Sequence, residues 1–367
     1  SKCPSNSNYI VNNNVRSFLF INRSKHKKSK FSSGGFFTAL AEYILENDGV
    51  VYGAGWDEFL HVRHMRVNSL DKLNILQKSK YIQSFISNDI YFQLQKDVSD
   101  GKIVLFSGTP CQCASVFNLF NEIPSNLFVC DVICHGVPNQ WSFDQWRSFE
   151  ETKTGGSLIS FDFRFKKRGF KTKLFSYQIA RNNSFTSIVG SPQFNPFFSA
   201  YQKNCNYRNS CYLCSYRKPR VFSDFTMGDF YGIENVTKRY KNSSGKSLVF
   251  VNSNKAYKTL HELSLFNTVR EYPFDLCKNL STAYLHNDNP NKRDPLFYEK
   301  WEDTSYINNY CNPYSKLKAI KTRFLNFIKL FLRLLNIKAN DASYYLSSKT
   351  KKRFYGKKQQ KDNYSYK

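Results

Sequence analysis

Two short apolar segments, each running into a turn that carries a cysteine, constrain the fold of this chain more than any other feature. Residues 103–106 are Ile-Val-Leu-Phe and lead to Cys111, while residues 127–133 are largely apolar and lead to Cys134. Apolar runs of this length are typical of strands buried on both faces of a sheet. Open α/β sheets place their ligands at the carboxyl ends of such strands. We therefore predict an α/β fold in which both cysteines lie at ligand-binding strand ends.

The order of the remaining patterns indicates a mixed architecture. Helical or strand patterns occupy residues 37–45, 50–54, 88–98 and 111–120. Further along, residues 158–166 alternate between apolar and polar side chains, and residues 174–180 can pair with them as a second strand. The predicted fold class is therefore α/β (α+β), with a mixed sheet core and flanking helices, a smaller and more antiparallel second half, and a basic C-terminal helix.

The chain is strongly basic, with 54 Lys and Arg against 28 Asp and Glu and a net charge of +26. Half of that excess lies in residues 316–367, which hold fifteen basic and two acidic residues. We interpret residues 315–338 as an amphipathic helix that either contacts an anionic membrane surface or packs on its own domain. The positive net charge could also be interpreted as a sign of nucleic-acid binding. We expect no specific nucleic-acid partner, because the sequence lacks an RNA-recognition motif.

Ten cysteines without a signal-peptide pattern favour metal or redox chemistry over a disulfide framework. Cys211 and Cys214 form a C-x-x-C turn, which can direct two thiolates at one metal ion or cluster. A zinc half-site, a redox disulfide or two ordinary cysteines explain this turn equally well. Cys111 and Cys134 are candidate partners, and Cys111 would start a helix whose dipole stabilises a thiolate. The alternative is that both are buried apolar side chains, as we expect for Cys113, Cys130 and Cys277.

A serine-glycine loop at residues 32–35 precedes the first predicted helix. Glycines allow close approach of the backbone, and free amide groups at a helix start bind phosphate. An ordinary helix N-cap explains the loop equally well.

Asp131 and His135 flank Cys134. We interpret His135 as a residue that tunes a metal cluster or relays a proton. The alternative is a buried, hydrogen-bonded histidine with a structural role.

Six segments of the chain, in their order along the sequence, resemble the coenzyme F-420 hydrogenase/dehydrogenase beta subunit family. They are residues 32–37, 79–84, 108–112, 131–138, 211–214 and 224–232. The resemblance extends over residues 15 to 300 approximately. It implies an iron-sulfur flavoprotein oxidoreductase, in which a cluster relays single electrons and a flavin converts them into a hydride for a small-molecule substrate.

The resemblance also implies residue roles and cofactors. The implied ligands of a 4Fe-4S cluster are Cys111, Cys134, Cys211 and Cys214. The implied FAD contacts are Ser33, Gly34, Gly35, Ser79, Lys80 and Tyr81. Among these, Lys80 is the candidate phosphate partner. We expect catalytic roles for His135 and Asp131.

The resemblance divides the chain into four parts. These are a lead-in (1–31), an N-terminal α/β flavin-binding part (32–155), a C-terminal catalytic and cluster-binding part (156–310), and a basic amphipathic helix with its tail (311–367). Fuller family members carry an N-terminal ferredoxin-like segment, of which Cys3 and Pro4 would be a remnant. Either such a segment precedes residue 1, or the electron donor is a separate ferredoxin-like protein or partner subunit.

We expect a cytoplasmic protein whose basic tail contacts the inner face of the membrane. The alternative function is that of a cofactor-poor accessory protein of surface polysaccharide biosynthesis, which would keep the fold and lack the cofactors. The cysteine motifs of this chain argue against that alternative, because a protein without cofactors would not need them.

Overall fold

Eight strands form one mixed sheet in the computed structural model, which describes residues 15–24, 30–120, 122–166, 174–182, 184–216, 223–240 and 245–281. The strands of the described residues are β1 (Arg16–Ile21), β2 (Val50–Trp56), β3 (Val62–Val67), β4 (Val104–Gly108), β5 (Leu127–Val132), β6 (Ser157–Phe165), β7 (Leu174–Arg181), β8 (Ser184–Gly190), β9 (Phe225–Asp229), β10 (Ser247–Val251) and β11 (Thr268–Tyr272). The helices of the same residues are α1 (Phe36–Glu46), α2 (Asn88–Ser99), α3 (Pro110–Phe117), α4 (Gln140–Thr154), α5 (Pro196–Gln202), α6 (Asn209–Tyr212), α7 (Ile233–Val236), α8 (Asn254–Ser264) and α9 (Phe274–Leu280).

The main sheet has the order β11-β1-β10-β9-β5-β4-β2-β3. Its centre is parallel, because β2, β4, β5 and β9 pair in the same direction, while the strands at both ends are antiparallel. A second sheet of the order β6-β7-β8 is wholly antiparallel and lies in sequence between β5 and β9. These two sheets confirm the predicted fold class of mixed α/β with a more antiparallel second half.

Helices cover both faces of the parallel strands, which explains why these strands are apolar along their whole length. On one face α1 and α8 bury Leu40, Ile44 and Leu260 against the sheet. On the other face α2 and α3 contribute Leu94 and Val116 to a second cluster. Continuous apolar runs such as those of β4 and β5 are therefore required by two-sided burial.

A third apolar cluster lies between the small sheet and helices α4 and α5, and it is dominated by aromatic rings. The alternating pattern of β6 places Phe161 and Phe163 in this cluster, where both are buried. Ser160 comes directly before Phe161 in sequence and is less buried, as the period of two predicts.

Strand β1 corrects part of the division made from sequence. Residues 16–21 belong to the segment interpreted as a lead-in, yet β1 lies inside the main sheet, between β10 and β11. Its side chains Phe18, Leu19 and Phe20 are buried, which is the physical reason that the segment joins the sheet. The main sheet also takes strands from both sides of the predicted boundary at 155/156, and all described residues fall in one compact unit, residues 1–311.

The predicted basic helix at 315–338 lies outside the described residues, as does most of the lead-in. Across the described part of the chain, no helix combines the length and apolar character needed to cross a bilayer.

Candidate functional site

A cavity of about 670 Å³ lies at the carboxyl ends of the parallel strands. Its lining includes the end of β4 with the next residue (107–109), the last residue of β5 with the segment after it (132–137), and the end of β9 (227–229). This is the position at which open α/β sheets bind ligands, and the volume lies within the usual range for a small-molecule or cofactor site.

The serine-glycine loop forms one wall of the cavity. Ser33 and Gly35 line it together with the first turn of α1, whose main-chain N–H groups have no partner inside the helix. Gly35 has a φ of +88°, and a Cβ there would lie 2.8 Å from Asn22. Glycine is therefore required at the point where the loop turns into the helix.

Gly34 has a different role from its two neighbours. It is not among the described residues that line the cavity, and a Cβ at this position would overlap the carbonyl oxygen of Phe20. Its main-chain N–H donates to the Ser247 hydroxyl at 3.0 Å. Gly34 therefore fastens the loop to β1 and β10, and its predicted contact with FAD stays a prediction.

Residues 79–81 form the facing wall. Ser79, Lys80 and Tyr81 all line the cavity, as the sequence motif predicts. The main-chain N–H of Ser79 donates to the hydroxyl of Ser32 at 2.7 Å, so the two walls are joined directly.

Lys80 is engaged with the backbone rather than available to a phosphate. Its ammonium group donates to the carbonyl oxygens of Ala54 (2.8 Å), Ile75 (3.1 Å) and Gln77 (2.8 Å). Three donors meet three acceptors, which uses the hydrogen-bonding capacity of the ammonium group. Burial lowers the pKa of Lys80 to about 7, and the neighbouring Asp162 opposes this shift. The geometry therefore argues against Lys80 as a phosphate partner and for a role in holding residues 75–80 together.

Arg164, at the end of β6, connects several parts of the cavity wall and is a site residue that the sequence motifs did not assign. Its guanidinium donates to Asp229 at 2.8 Å, to the Tyr81 hydroxyl at 3.1 Å and to the main-chain oxygen of Ser32 at 3.0 Å. The side chain is only 10% exposed, and the Asp229 carboxylate also accepts from the Tyr231 hydroxyl at 2.8 Å. The small sheet is thereby tied to the main sheet through one buried cation.

The basic side chains that line the cavity outnumber the acidic ones. The lining contains Lys30, Lys78, Lys80 and Arg164, and Asp229 is its acidic residue. Lys78 forms an ion pair with Asp162 at 2.5 Å. A cationic wall beside the start of a helix suits an anionic ligand.

His135 lies in the cavity wall within a chain of hydrogen bonds. The Tyr207 hydroxyl donates to Asn204 Oδ1 at 2.5 Å, so its oxygen accepts from Nδ1–H of His135 at 2.5 Å. In that neutral tautomer Nε2 is an acceptor, and the Tyr201 hydroxyl donates to it at 3.1 Å. The arrangement contains both of the features weighed from sequence, because the ring is hydrogen-bonded and it also faces the cavity.

Asp131 does not face the cavity. It is 4% exposed, and one carboxylate oxygen is buried without a hydrogen-bond partner. Burial raises the pKa of Asp131 to about 7, while hydrogen bonds from Thr226 and Ser223 oppose the shift. The structure therefore separates Asp131 from His135, although the two flank the same cysteine in sequence.

The sheet register sets the positions of the first two predicted cluster ligands. Gly108 of β4 pairs with Asp131 of β5 in the parallel ladder. Cys111 comes three residues after Gly108, and Cys134 comes three residues after Asp131. The two neighbouring strands therefore carry the two cysteines beyond the same edge of the sheet. Cys111 is exposed at the start of α3, and Cys134 is partly buried and lines the cavity.

Helix α6 brings the C-x-x-C turn to the segment that follows β5. The main-chain N–H of Arg208 donates to the carbonyl oxygen of Val137 at 3.0 Å, and Cys211 Sγ lies 4.0 Å from that same oxygen. Gly136 allows this approach, because a Cβ there would overlap the Tyr207 ring.

Electrostatic contact also links the cysteines of separate segments. Burial raises the pKa of Cys211, and the thiols of Cys111 and Cys214 add to the shift. The contact with Val137 and the charge of Arg208 oppose this shift. In contrast, Cys113, Cys130 and Cys277 are fully buried, which confirms their assignment as apolar core residues.

Within the described ranges, no group of three or more His, Cys, Asp or Glu side chains is arranged to hold a single metal ion. This finding disfavours a mononuclear zinc site among these residues. A cubane cluster has a different requirement, because each of its irons takes one thiolate and the four sulfurs need not surround one ion.

Comparison with known proteins shows which family part of the chain resembles. Residues 101–270 match the model of the C terminus of the coenzyme F420 hydrogenase/dehydrogenase beta subunit. Over that segment the chain is similar to this family. The matched region begins before β4 and extends into β11, so it contains all four predicted cluster ligands and Arg164.

A search of solved structures found a chain of the F420-reducing NiFe hydrogenase complex from Methanosarcina barkeri, studied by xenon derivatization. The two chains are 17% identical, with a TM-score of 0.48, and the alignment covers 80% of this chain and 93% of that chain. A search of curated proteins found no match.

Proposed function

We propose that this protein is an iron-sulfur flavoprotein oxidoreductase that holds one 4Fe-4S cluster beside an FAD. One observation carries the proposal. Cys134 lines the cavity, and it belongs to the same short segment as Val137, which contacts the Cys211 turn. A cofactor in the cavity and thiolates behind it would therefore share one wall. When bound, the cluster supplies one-electron transfer, and the flavin couples single electrons to the transfer of a hydride.

The cavity suits FAD in volume and in the distribution of charge. Ser33, Gly35 and the start of α1 would bind the anionic diphosphate, with Lys78 supplying positive charge nearby. Aromatic rings elsewhere in the lining, including Phe163 and Tyr201, suit an apolar ring system.

The proposed cluster would take its four cysteines from three separate elements. Cys111 and Cys134 follow adjacent strands, and α6 with the residues after it supplies Cys211 and Cys214. Loss of one thiolate would remove the ligand of one iron, so each cysteine is expected to matter for cluster assembly.

His135 is the candidate group for moving a proton at the cavity wall. Its Nε2 accepts from the Tyr201 hydroxyl, and Tyr201 also lines the cavity. The ring can therefore pass a proton between the cavity and Tyr207 without leaving its place. The position of Asp131 supports a structural role rather than a catalytic one.

This chemistry predicts the class of the electron donor and the class of the substrate. A ferredoxin-like protein or a partner subunit would supply or accept single electrons, and a small molecule would exchange the hydride. Contact of the basic tail with the membrane stays a prediction, because the tail lies outside the described residues.

Anaerobic reconstitution of the full chain tests the proposal. We expect about four iron and four sulfide per chain, an EPR signal after reduction, and extracted flavin that chromatographs as FAD. The Cys134→Ala variant should lose most of its iron. The matched control is Cys277→Ala, since Cys277 is buried in a core cluster with Leu19 and Phe250 and should keep the full iron content.

Two results would count against the proposal in different ways. Iron, sulfide and flavin near zero in the reconstituted wild type would favour the accessory-protein alternative. Equal loss of iron in Cys134→Ala and Cys277→Ala would mean that the ligand assignment is wrong, because instability alone would then explain the loss.

A further inference from the structure

A second basic stretch, besides the tail, carries the C-x-x-C turn. Residues 163–223 contain twelve Lys and Arg and no Asp or Glu. This stretch, at +12, and residues 316–367, at +13, account for all but one unit of the net charge of +26. The remainder of the chain is therefore almost neutral. Outside the tail, the positive charge is concentrated in the stretch that supplies two of the proposed cluster ligands.

The segments around all four proposed ligands lack acidic side chains. The four cysteines belong to residues 107–120, 132–143 and 191–216. None of these segments contains Asp or Glu, and their basic residues are Lys203 and Arg208. A partner protein with acidic groups on its contact face would therefore meet no like charge from these segments, and would be attracted to them.

Leu213 gives this region an exposed apolar contact. It lies between the two cysteines of the turn and is 74% exposed. The turn contacts Val137 in the segment after β5, and Cys111 follows β4, which is the neighbour of β5 in the sheet. Tyr216 packs against the apolar cluster that contains Phe117 of α3, so the residues after the turn lie beside the helix that Cys111 begins. Cys111 is itself exposed.

Arg208 supplies a positive charge at a fixed place beside the turn. Its main-chain N–H donates to the carbonyl oxygen of Val137 at 3.0 Å, and its own carbonyl oxygen accepts from the main-chain N–H of Cys211 at 2.9 Å. The side chain is partly buried, and among the described residues no carboxylate forms an ion pair with it. The guanidinium group can therefore pair with a carboxylate of another protein.

We propose that Cys111, Arg208 and Leu213 form a docking surface for a small acidic protein of the ferredoxin class, which carries single electrons. We call these three residues the cysteine surface. The inference rests on the proposed function, because it requires a cluster at the four cysteines. In each encounter the carrier is oxidised by one electron and the cluster is reduced by one, and no atom is transferred. Two encounters and one proton from the solvent supply the hydride that reaches the substrate.

The cysteine surface has the features of a transient electron-transfer contact. Such complexes bury little area, so one apolar side chain beside complementary charge is sufficient. The exposure of Cys111 places one ligand of the proposed cluster at the surface, where a carrier can approach it. By contrast, the exposed Phe59 directly follows Asp57 and Glu58, and an acidic carrier would be repelled there.

Binding of a plant-type 2Fe-2S ferredoxin, which is an acidic protein, tests the surface without turnover. The reconstituted full chain is titrated into labelled, oxidised ferredoxin, and the fluorescence anisotropy gives the Kd. For the wild type we expect the Kd to rise about tenfold between about 20 mM and about 300 mM salt. At low salt, Arg208→Glu and Leu213→Glu should each raise the Kd about tenfold, whereas Leu213→Lys should not raise it.

Two control variants make the same changes elsewhere on the protein. Arg181→Glu reverses an exposed charge within the same acid-free stretch, and Phe266→Glu places a charge at an apolar residue that is 77% exposed. Both should bind ferredoxin with a Kd within about twofold of the wild-type value, because their charges lie away from the contact and are screened.

Stopped-flow reduction of the cluster gives a second measurement. Reduced ferredoxin has to dock before it can transfer its electron, whereas dithionite is a small reductant that needs no docking surface. We expect Leu213→Glu to slow reduction by ferredoxin about tenfold at low salt and to leave reduction by dithionite unchanged.

The outcomes separate this inference from the proposed function. A wild type that binds no iron defeats the proposed function itself. A wild type with full iron whose Kd for ferredoxin does not depend on salt overturns the docking surface alone. If Leu213→Lys weakens binding as much as Leu213→Glu does, the partner is not acidic. If Arg208→Glu and Leu213→Glu both keep the wild-type Kd, ferredoxin binds elsewhere on the chain, such as the basic tail, and the cysteine surface is wrong.

Discussion

Replacing the buried carboxylate of Asp131 by an amide should stabilise the protein, and it should do so increasingly as the pH rises. The pKa of Asp131 is raised to about 7 from 3.8 in the unfolded chain. Folding therefore keeps a proton on Asp131 over the pH range in which the unfolded chain has released it. A carboxylic acid whose pKa is higher in the folded chain lowers the stability as the pH rises from the unfolded pKa to the folded pKa. Above the folded pKa this loss of stability is constant.

The magnitude follows from these two values. One pKa unit corresponds to about 1.4 kcal/mol, so the cost is about 1.5 kcal/mol at pH 5 and about 4 kcal/mol at pH 8. Asp131→Asn has nearly the same shape, carries no charge, and can still hydrogen-bond to the hydroxyls of Thr226 and Ser223. We expect the free energy of unfolding of the variant to exceed that of the wild type by a margin that grows by about 2.5 kcal/mol from pH 5 to pH 8.

Urea unfolding monitored through the buried Trp146 measures this margin at constant ionic strength and matched metal content. Glu58→Gln, at an exposed position, is the control for removal of one carboxylate charge. A margin for Asp131→Asn that is independent of pH would refute the reasoning, since it would mean that Asp131 has the same pKa in the folded and unfolded chains. A loss of stability at pH 8 would point instead to a partner for the carboxylate charge.

Three further predictions concern other parts of the molecule. Asp97→Asn should lower the free energy of unfolding by about 3 kcal/mol, because the buried carboxylate accepts hydrogen bonds from Tyr52, Arg66 and Lys102. Although burial acts to raise the pKa of Asp97, these bonds hold the pKa below its usual range. Urea unfolding should therefore show the loss of stability at pH 7 and a smaller loss as the pH falls below 4. Gly34→Ala should release FAD and lower the melting temperature. The control is Gly101→Ala, which should keep the flavin despite a strained φ of +78°, because a Cβ at this position would meet nothing within 4 Å. Flavin absorbance of each variant after gel filtration measures the difference. Arg164→Lys loses the planar guanidinium group that joins Ser32, Tyr81 and Asp229. We expect the Kd for FAD, measured by equilibrium dialysis, to rise about tenfold. An unchanged Kd would contradict the role of Arg164 in shaping the cavity.

The parallel core could be predicted from sequence because its signal is local. The runs that form β4 and β5 are largely apolar, and their turns contain Gly, Pro and Cys at the points where the strands end. Helix α2 was expected within 88–98 and spans Asn88–Ser99, while α3 ends at Phe117, earlier than the predicted residue 120. The boundary of α3 differs because the apolar residues 119 and 120 continue the pattern after the helix has ended.

Strand β1 escaped prediction because its partners are distant in sequence. Its four apolar residues lie among Asn, Ser and Lys, and only pairing with β10 and β11 converts them into a buried strand. The same reason hides the role of Arg164, whose partners come from three other segments.

Lys80 illustrates a different limit. A motif identifies a lysine beside a phosphate-binding loop, but composition cannot reveal that three main-chain carbonyls surround its ammonium group. His64 is a comparable case, since its place in a strand pattern does not show which of its nitrogens carries the proton.

The position of β1 has a consequence for the order of assembly during synthesis. Arg16 pairs with Val251, so β1 must wait for more than 200 further residues to leave the ribosome before it can pair with β10. The serine-glycine loop follows β1 closely and is fastened to Ser247, so one wall of the cavity is completed only after β10 has been made. Contacts so distant in sequence form slowly. The nascent chain therefore has no finished pocket until β10 has left the ribosome, and FAD loading would follow that point.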